Sequence, residues 1–169
     1  MAVLETFKKY LDTFVAWVCI GIVGMMTVLI TWQVITRYLF NSPSAVSEIL
    51  SRYLFIWLIL FGSAYVFGLR EHMAISFIKE KFSPRVKIIT DMFTELAIAV
   101  FTFTVMIIGG WYTVLRQMWQ LDSALQIPMG YIYSAIPLSG GLIVFYFLYN
   151  EIYLFRRLNT LNSVPGGEE

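Results

Sequence analysis

Histidine and cysteine are almost missing from this chain: His72 and Cys19 each stand alone among 169 residues. A single cysteine excludes an intramolecular disulfide framework, and one residue of each kind cannot supply the several ligands of a Cys/His metal site. The same scarcity counts against a membrane cytochrome with two axial histidines per haem. Charge is scarce too. Charged residues form 14% of the chain, against roughly 25% in ordinary soluble domains. The net charge is only +1, so there is no global field to attract nucleic acid or a cationic partner. What the chain has instead is apolar length: 59% of it is hydrophobic, and it reads as a membrane protein.

Four uncharged runs carry that length. Between Asp12 and Arg37 lie 24 residues without a charge, and about 20 suffice to cross a hydrocarbon core of roughly 30 Å. The run Tyr53 to Leu69 has 17 residues, and Arg52 and Arg70 at its ends can extend it by snorkelling. Leu96 to Leu115 and Ser123 to Asn150 complete the set. The expected fold is an all-α membrane protein, one domain over 1–169. Its four transmembrane helices are expected near 13–37, 50–69, 88–115 and 128–153, followed by a disordered tail at 158–169. The first run is too long for the 7–15 residue core of a signal peptide, and Phe40-Asn41-Ser42 offers no small-x-small cleavage pattern, so it reads as a retained anchor.

Basic residues set the orientation. Lys8, Lys9, Arg70, Lys79, Lys81, Arg85, Lys87, Arg156 and Arg157 fall on one side of the four spans, and only Arg37, Arg52 and Arg116 on the other. The positive-inside rule then places both termini and the second loop in the cytoplasm. In that loop Ser83-Pro84 is a helix-start signal. Arg85 and Lys87 follow where the helix dipole disfavours them by about 0.3–1 kcal/mol each. Anionic lipid offsets this at about 1 kcal/mol per basic residue, which makes Arg70, Lys79, Lys81, Arg85 and Lys87 candidate lipid contacts. Met73, Ile75, Phe77, Ile78 and Phe82 alternate there with charged residues as a short interfacial segment. At the N-terminus Val3, Leu4, Phe7, Leu11 and Phe14 recur at helical spacing, as an amphipathic lead-in helix would.

The external side is sparser. Asn41-Ser42-Pro43-Ser44 is turn chemistry, and Glu48 and Arg52 follow at i, i+4. With Arg37 they form either ordinary helix-end chemistry or a polar anchor for another membrane subunit. Pro128 is expected to open the fourth helix; Pro137, within it, should remove the bond to the Tyr133 carbonyl and kink the axis, with Ser134 or Ser139 compensating. Glu48, Asp91, Glu95, Asp122 and Glu151 all fall at or near span ends, which suits a scaffold better than an ion pump. Glycines at 21, 24, 62, 109, 110, 140 and 141 give small-residue patches where helices approach closely, and the five tryptophans lie mostly near span ends as interfacial belts.

Several stretches, taken in order, resemble the small membrane subunit (DctQ-like) of tripartite ATP-independent periplasmic (TRAP) transporters. They are Arg37-Tyr-Leu-Phe-Asn-Ser-Pro43, Ser47-Glu48 with Arg52-Tyr-Leu-Phe-Ile-Trp57, Gly62-Ser-Ala64, Arg70-Glu-His-Met-Ala-Ile75, and Ser123-Ala-Leu-Gln-Ile-Pro-Met-Gly130 with Tyr133-Ser-Ala-Ile-Pro137. The resemblance covers about Phe14 to Arg157, and its order and spacing are more specific than any single motif. Glu71 departs from it, standing where a small residue is frequent before His72. The resemblance implies a subunit of the bacterial inner membrane with no catalytic residues and no cofactor. It further implies a large membrane subunit that holds the substrate and sodium sites, and a periplasmic protein that delivers an organic acid. The short stretch after the fourth span resembles the separate, unfused form of the subunit. Two other readings stay open: a small homo-oligomeric transporter or channel, favoured by Pro137 and the glycine patches, and a membrane enzyme or redox subunit, for which the chain offers few groups.

Overall fold

A computed structural model describes residues 2–42, 44–69 and 84–163 of the chain. The described residues are all-helical, and four stretches are long and apolar enough to cross a bilayer: Leu4–Tyr38, Ala45–Leu69, Ile88–Gln117 and Met129–Arg156. Helix α1 runs without interruption over Ala2–Tyr38. The expected lead-in helix and first span are therefore one element, because no proline or turn sequence separates them. Its last turn carries Arg37, which favours the negative end of the helix dipole. It stops where Asn41 adopts a left-handed backbone (φ 49°) and the Ser42 N–H donates back to the Thr36 carbonyl at 3.1 Å, a Schellman-type closure.

Helix α2 spans Ala45–Leu69. Ser44 caps it, its Oγ accepting from the Ser47 N–H at 3.4 Å. The Gln33 amide on α1 donates to the Ser47 carbonyl (2.9 Å) and to Ser51 Oγ (3.0 Å), which ties the end of α1 to the start of α2.

The third span is composite. Helix α3 (Pro84–Phe101) passes into π-helical turns over Thr102–Gly109 and then into α4 (Gly110–Gln117). The Gly110 N–H reaches back five residues to the Val105 carbonyl. The expected third helix has the right place but not this internal change of winding, which hydrophobic periodicity alone does not reveal.

The fourth span is broken, and here the expectation needs correction. Pro128 is not the first helical residue; it caps α5 (Met129–Tyr133) and pairs with Leu121 in an isolated antiparallel bridge. The helix is interrupted for one residue at Ser134, which keeps a right-handed helical backbone (φ −61°, ψ −19°), and α6 follows over Ala135–Ser163. Pro137 has no N–H to give the Tyr133 carbonyl, as expected, while the Ser134 N–H donating to the Gly130 carbonyl (3.0 Å) and the Leu138 N–H donating to the Ser134 carbonyl (3.2 Å) carry the winding across. The serines do not replace the missing bond to Tyr133. Ser134 Oγ donates to the Tyr131 carbonyl (2.6 Å) and Ser139 Oγ to the Ile136 carbonyl (3.0 Å). Residues 158–163, expected in a disordered tail, continue α6.

Two small buried clusters hold the bundle. Ala64, Phe67, Ile143 and Tyr146 join α2 to α6. Val15, Phe61 and Ala135 bring α1, α2 and the start of α6 together. Glycines set the closest approaches between the third and fourth spans. A Cβ on Gly110 would lie 2.9 Å from the Ile136 side chain, and one on Gly140 would lie 3.0 Å from Met106 Cβ. Gly21, Gly24, Gly62 and Gly141 face open space.

Candidate functional site

The polar groups of the bundle gather into two clasps, one at each end. The first joins α1 to α6. Asp12 accepts from the Tyr146 hydroxyl at 2.7 Å and from Lys8 Nζ at 2.8 Å, one carboxylate oxygen for each donor. Tyr146 is completely buried. The Lys8 ammonium also lies over the rings of Tyr146 (5.7 Å) and Tyr149 (5.5 Å), where it meets their negative faces. Gly68 of α2 makes room for the ring, since a Cβ there would come within 2.6 Å of it. Phe7 packs edge-on to Phe145 beside the clasp. The start of α1 is therefore fastened to α6 by these few side chains, while Phe7 and Phe14 stay exposed, and the half-buried Lys8 and Asp12 satisfy each other.

The second clasp centres on Asp122, in the loop between α4 and α5. Its carboxylate accepts from the Ala124 N–H (2.9 Å), the Leu125 N–H (2.8 Å) and the Tyr53 hydroxyl of α2. The Tyr53 hydroxyl also lies 3.4 Å from Met129 Sδ. The Asp122 backbone closes the loop on both sides, its N–H donating to Ile127 (2.9 Å) and its carbonyl accepting from Gln126 (3.1 Å). Gln126 takes a left-handed φ of 53° to allow this. The Leu125 N–H above all, then the Tyr53 hydroxyl and the Ala124 N–H, hold the Asp122 carboxyl below the usual carboxylate range, against the opposing effect of burial.

The sequence-derived candidates are distributed around these clasps rather than within them. Arg52 Nη2 lies 3.3 Å from Glu48 Oε1, with side chains 66% and 53% exposed. Arg37 is exposed and makes no ion pair with a described residue. The three residues therefore share the same end of the α1–α2 pair without forming one network. Tyr133 is half-buried at the end of α5, next to the break that separates it from Pro137. Arg70, Lys79 and Lys81, with the interfacial segment, His72 and Ser83, lie outside the described residues; Arg85 and Lys87 stand in the first turn of α3. Glu95 corrects the reading of the carboxylates. It is buried inside α3, about 16 Å along the axis from Pro84 at 1.5 Å per residue, and not at a span end.

Neither tyrosine was a candidate from the sequence. Nothing local distinguishes Tyr53 and Tyr146 from the other eight tyrosines, because their partners are 69 and 134 residues away. The arrangement can fasten helices. Its carboxylates are occupied by donors from the chain itself.

Residues 26–157 match the sequence profile of the DctQ component of tripartite ATP-independent periplasmic transporters. A chain of Haemophilus influenzae named as a TRAP transporter small permease protein is 25% identical over 165 residues, covering 98% of both chains. The sialic acid TRAP transporter small permease protein of Vibrio cholerae is 24% identical over 160 residues, 95% of this chain and 92% of that one. The sialic acid TRAP transporter permease protein of H. influenzae is 25% identical over 152 residues, 88% of this chain but only 24% of that longer polypeptide.

Proposed function

Since this chain belongs to the DctQ component family of tripartite ATP-independent periplasmic transporters, we propose that it is the fixed, non-catalytic small subunit of such a transporter, supporting a large membrane subunit. It is a multi-pass protein of the bacterial inner membrane. The observation that carries the scaffold reading is the pair of clasps: Asp12 and Asp122, the two carboxylates best placed to meet an ion at the bundle's ends, are each held by donors of this chain. A group that must bind and release a cation in each cycle is poorly served by such saturation. Sodium coupling and substrate binding are assigned to the large subunit. The longer H. influenzae permease supports such a partner, since this chain matches only 24% of it.

Both termini are assigned to the cytoplasm by the nine-to-three split of basic residues. The Asp12–Tyr146 clasp is then on the inner side and the Asp122 loop faces the periplasm, where a substrate-binding protein would approach. An organic acid is the substrate class to test first, sialic acid being named for two of the relatives. Uptake by proteoliposomes holding the large subunit, binding protein and a sodium gradient should require this chain, and this chain alone should give none. Substrate-dependent uptake by the chain alone would overturn the scaffold reading in favour of a stand-alone transporter.

A further inference from the structure

We infer that the external tip of the third and fourth spans, Gly110 to Tyr133, is a hinged body that swings as a unit on the rest of the bundle and is latched shut by the Tyr53–Asp122 hydrogen bond. This goes beyond the scaffold reading and does not depend on it.

Three observations define the hinge, the body and the latch. The hinge is a pair of backbone interruptions set side by side. On the third span α-helical winding gives way to π-helical winding over Thr102–Gly109; on the fourth the helix is interrupted at Ser134, where Pro137 has no N–H for the Tyr133 carbonyl. They touch, because Gly110 sits against Ile136 and Pro137, and Gly140 against Met106 and Ile107. Two irregular segments at one level leave both strands of the hairpin without full α-helical bonding there, so bending costs least along that line.

Beyond the line the tip is internally coherent. A Cβ on Gly130 would fall 2.6 Å from Met118 Sδ and 2.8 Å from the Val114 carbonyl, so α5 lies directly on α4. The loop between them is closed by Met129 N–H to Gln120 (2.8 Å), by the Leu121–Pro128 bridge and by the Asp122 bonds. Among the described residues the side-chain hydrogen bonds joining this body to α2 come from one group, the Tyr53 hydroxyl, to Asp122 and Met129. At the apex Trp119 is 92% exposed, a lever on which an external contact can act.

Spin labels at Val46→Cys on α2 and Trp119→Cys on the tip, in a Cys19→Ser chain reconstituted in nanodiscs, read the motion directly. One dominant distance is expected for the parent. Tyr53→Phe, which removes only the hydroxyl, should add a second, displaced population; adding Pro137→Ala, which restores a backbone donor at the hinge, should shrink it. Hydrogen exchange on the unlabelled chain provides a reading independent of labels. Amides of 111–133 should exchange as one block, and about tenfold faster in Tyr53→Phe, the factor expected for one lost hydrogen bond, while 138–150 stay unchanged. An unchanged distance distribution together with unchanged exchange in Tyr53→Phe would overturn the latch. Exchange accelerated equally on both sides of Ser134 would overturn the hinge. Uptake assays play no part, so failure here leaves the scaffold reading standing, and the reverse.

Discussion

Tyr146 is the residue on which α1, α2 and α6 converge, touching Asp12, Lys8 and the bare Cα of Gly68. Removing its hydroxyl in Tyr146→Phe deprives a half-buried carboxylate of one donor, so a loss of about 1–3 kcal/mol is expected. Denaturation of the detergent-solubilised chain, followed by loss of helix, measures it. Asp122 behaves differently because its bonds hold the carboxylate form. With its pKa lowered on folding, the contribution of that carboxylate is complete above about pH 4, the ordinary carboxylate value, and is lost only as the pH falls through the lowered native value. Trp119 emission should therefore stay constant on acidification to about pH 4 and shift only below it; a transition near pH 6 would contradict the assignment. At this scale the sequence was legible where chemistry is local, as at Asn41 and Ser44, which end one helix and cap the next. It was silent where two distant side chains meet, as at Tyr146.

At the scale of the helix, charged residues marked the span ends well: Arg37 lies in the last turn of α1 and Gln117 closes α4 just after Arg116. Periodicity failed where the backbone changes its winding, since Thr102–Gly109 is apolar on every side and presents no distinct face. The proline's effect followed from its chemistry, because Pro137 has no N–H for the Tyr133 carbonyl and the helix is interrupted just there, at Ser134. The glycines divide cleanly. Gly110→Ala and Gly140→Ala press into Ile136 and Met106 and should cost about 1–3 kcal/mol by overpacking. Gly141→Ala, one residue along and open, should be neutral or up to about 1 kcal/mol stabilising. Thermal scans of the three variants under one detergent condition compare them.

For the whole molecule, the exposed Glu48–Arg52 pair contributes roughly 0–1 kcal/mol to the bundle itself. It is thus a clean probe of assembly. Glu48→Lys and Arg52→Glu should each leave the isolated chain as stable as before and weaken co-purification with the large subunit; undiminished co-purification of both would reduce the pair to helix-end chemistry. The four-span plan followed from charge spacing, because crossing a bilayer fixes length and polarity together. How the spans pack did not follow, because in an apolar chain almost every face looks alike.

The Asp12–Tyr146 clasp also orders events in time. Its partners are 134 residues apart, and at about 5–20 residues per second the ribosome needs roughly 7–27 s to travel from one to the other. Throughout that interval the first helix stands in the membrane with Asp12 paired only to Lys8. A nascent chain arrested before Tyr146 is left in the same state, with one carboxylate oxygen of Asp12 lacking its helix-to-helix donor.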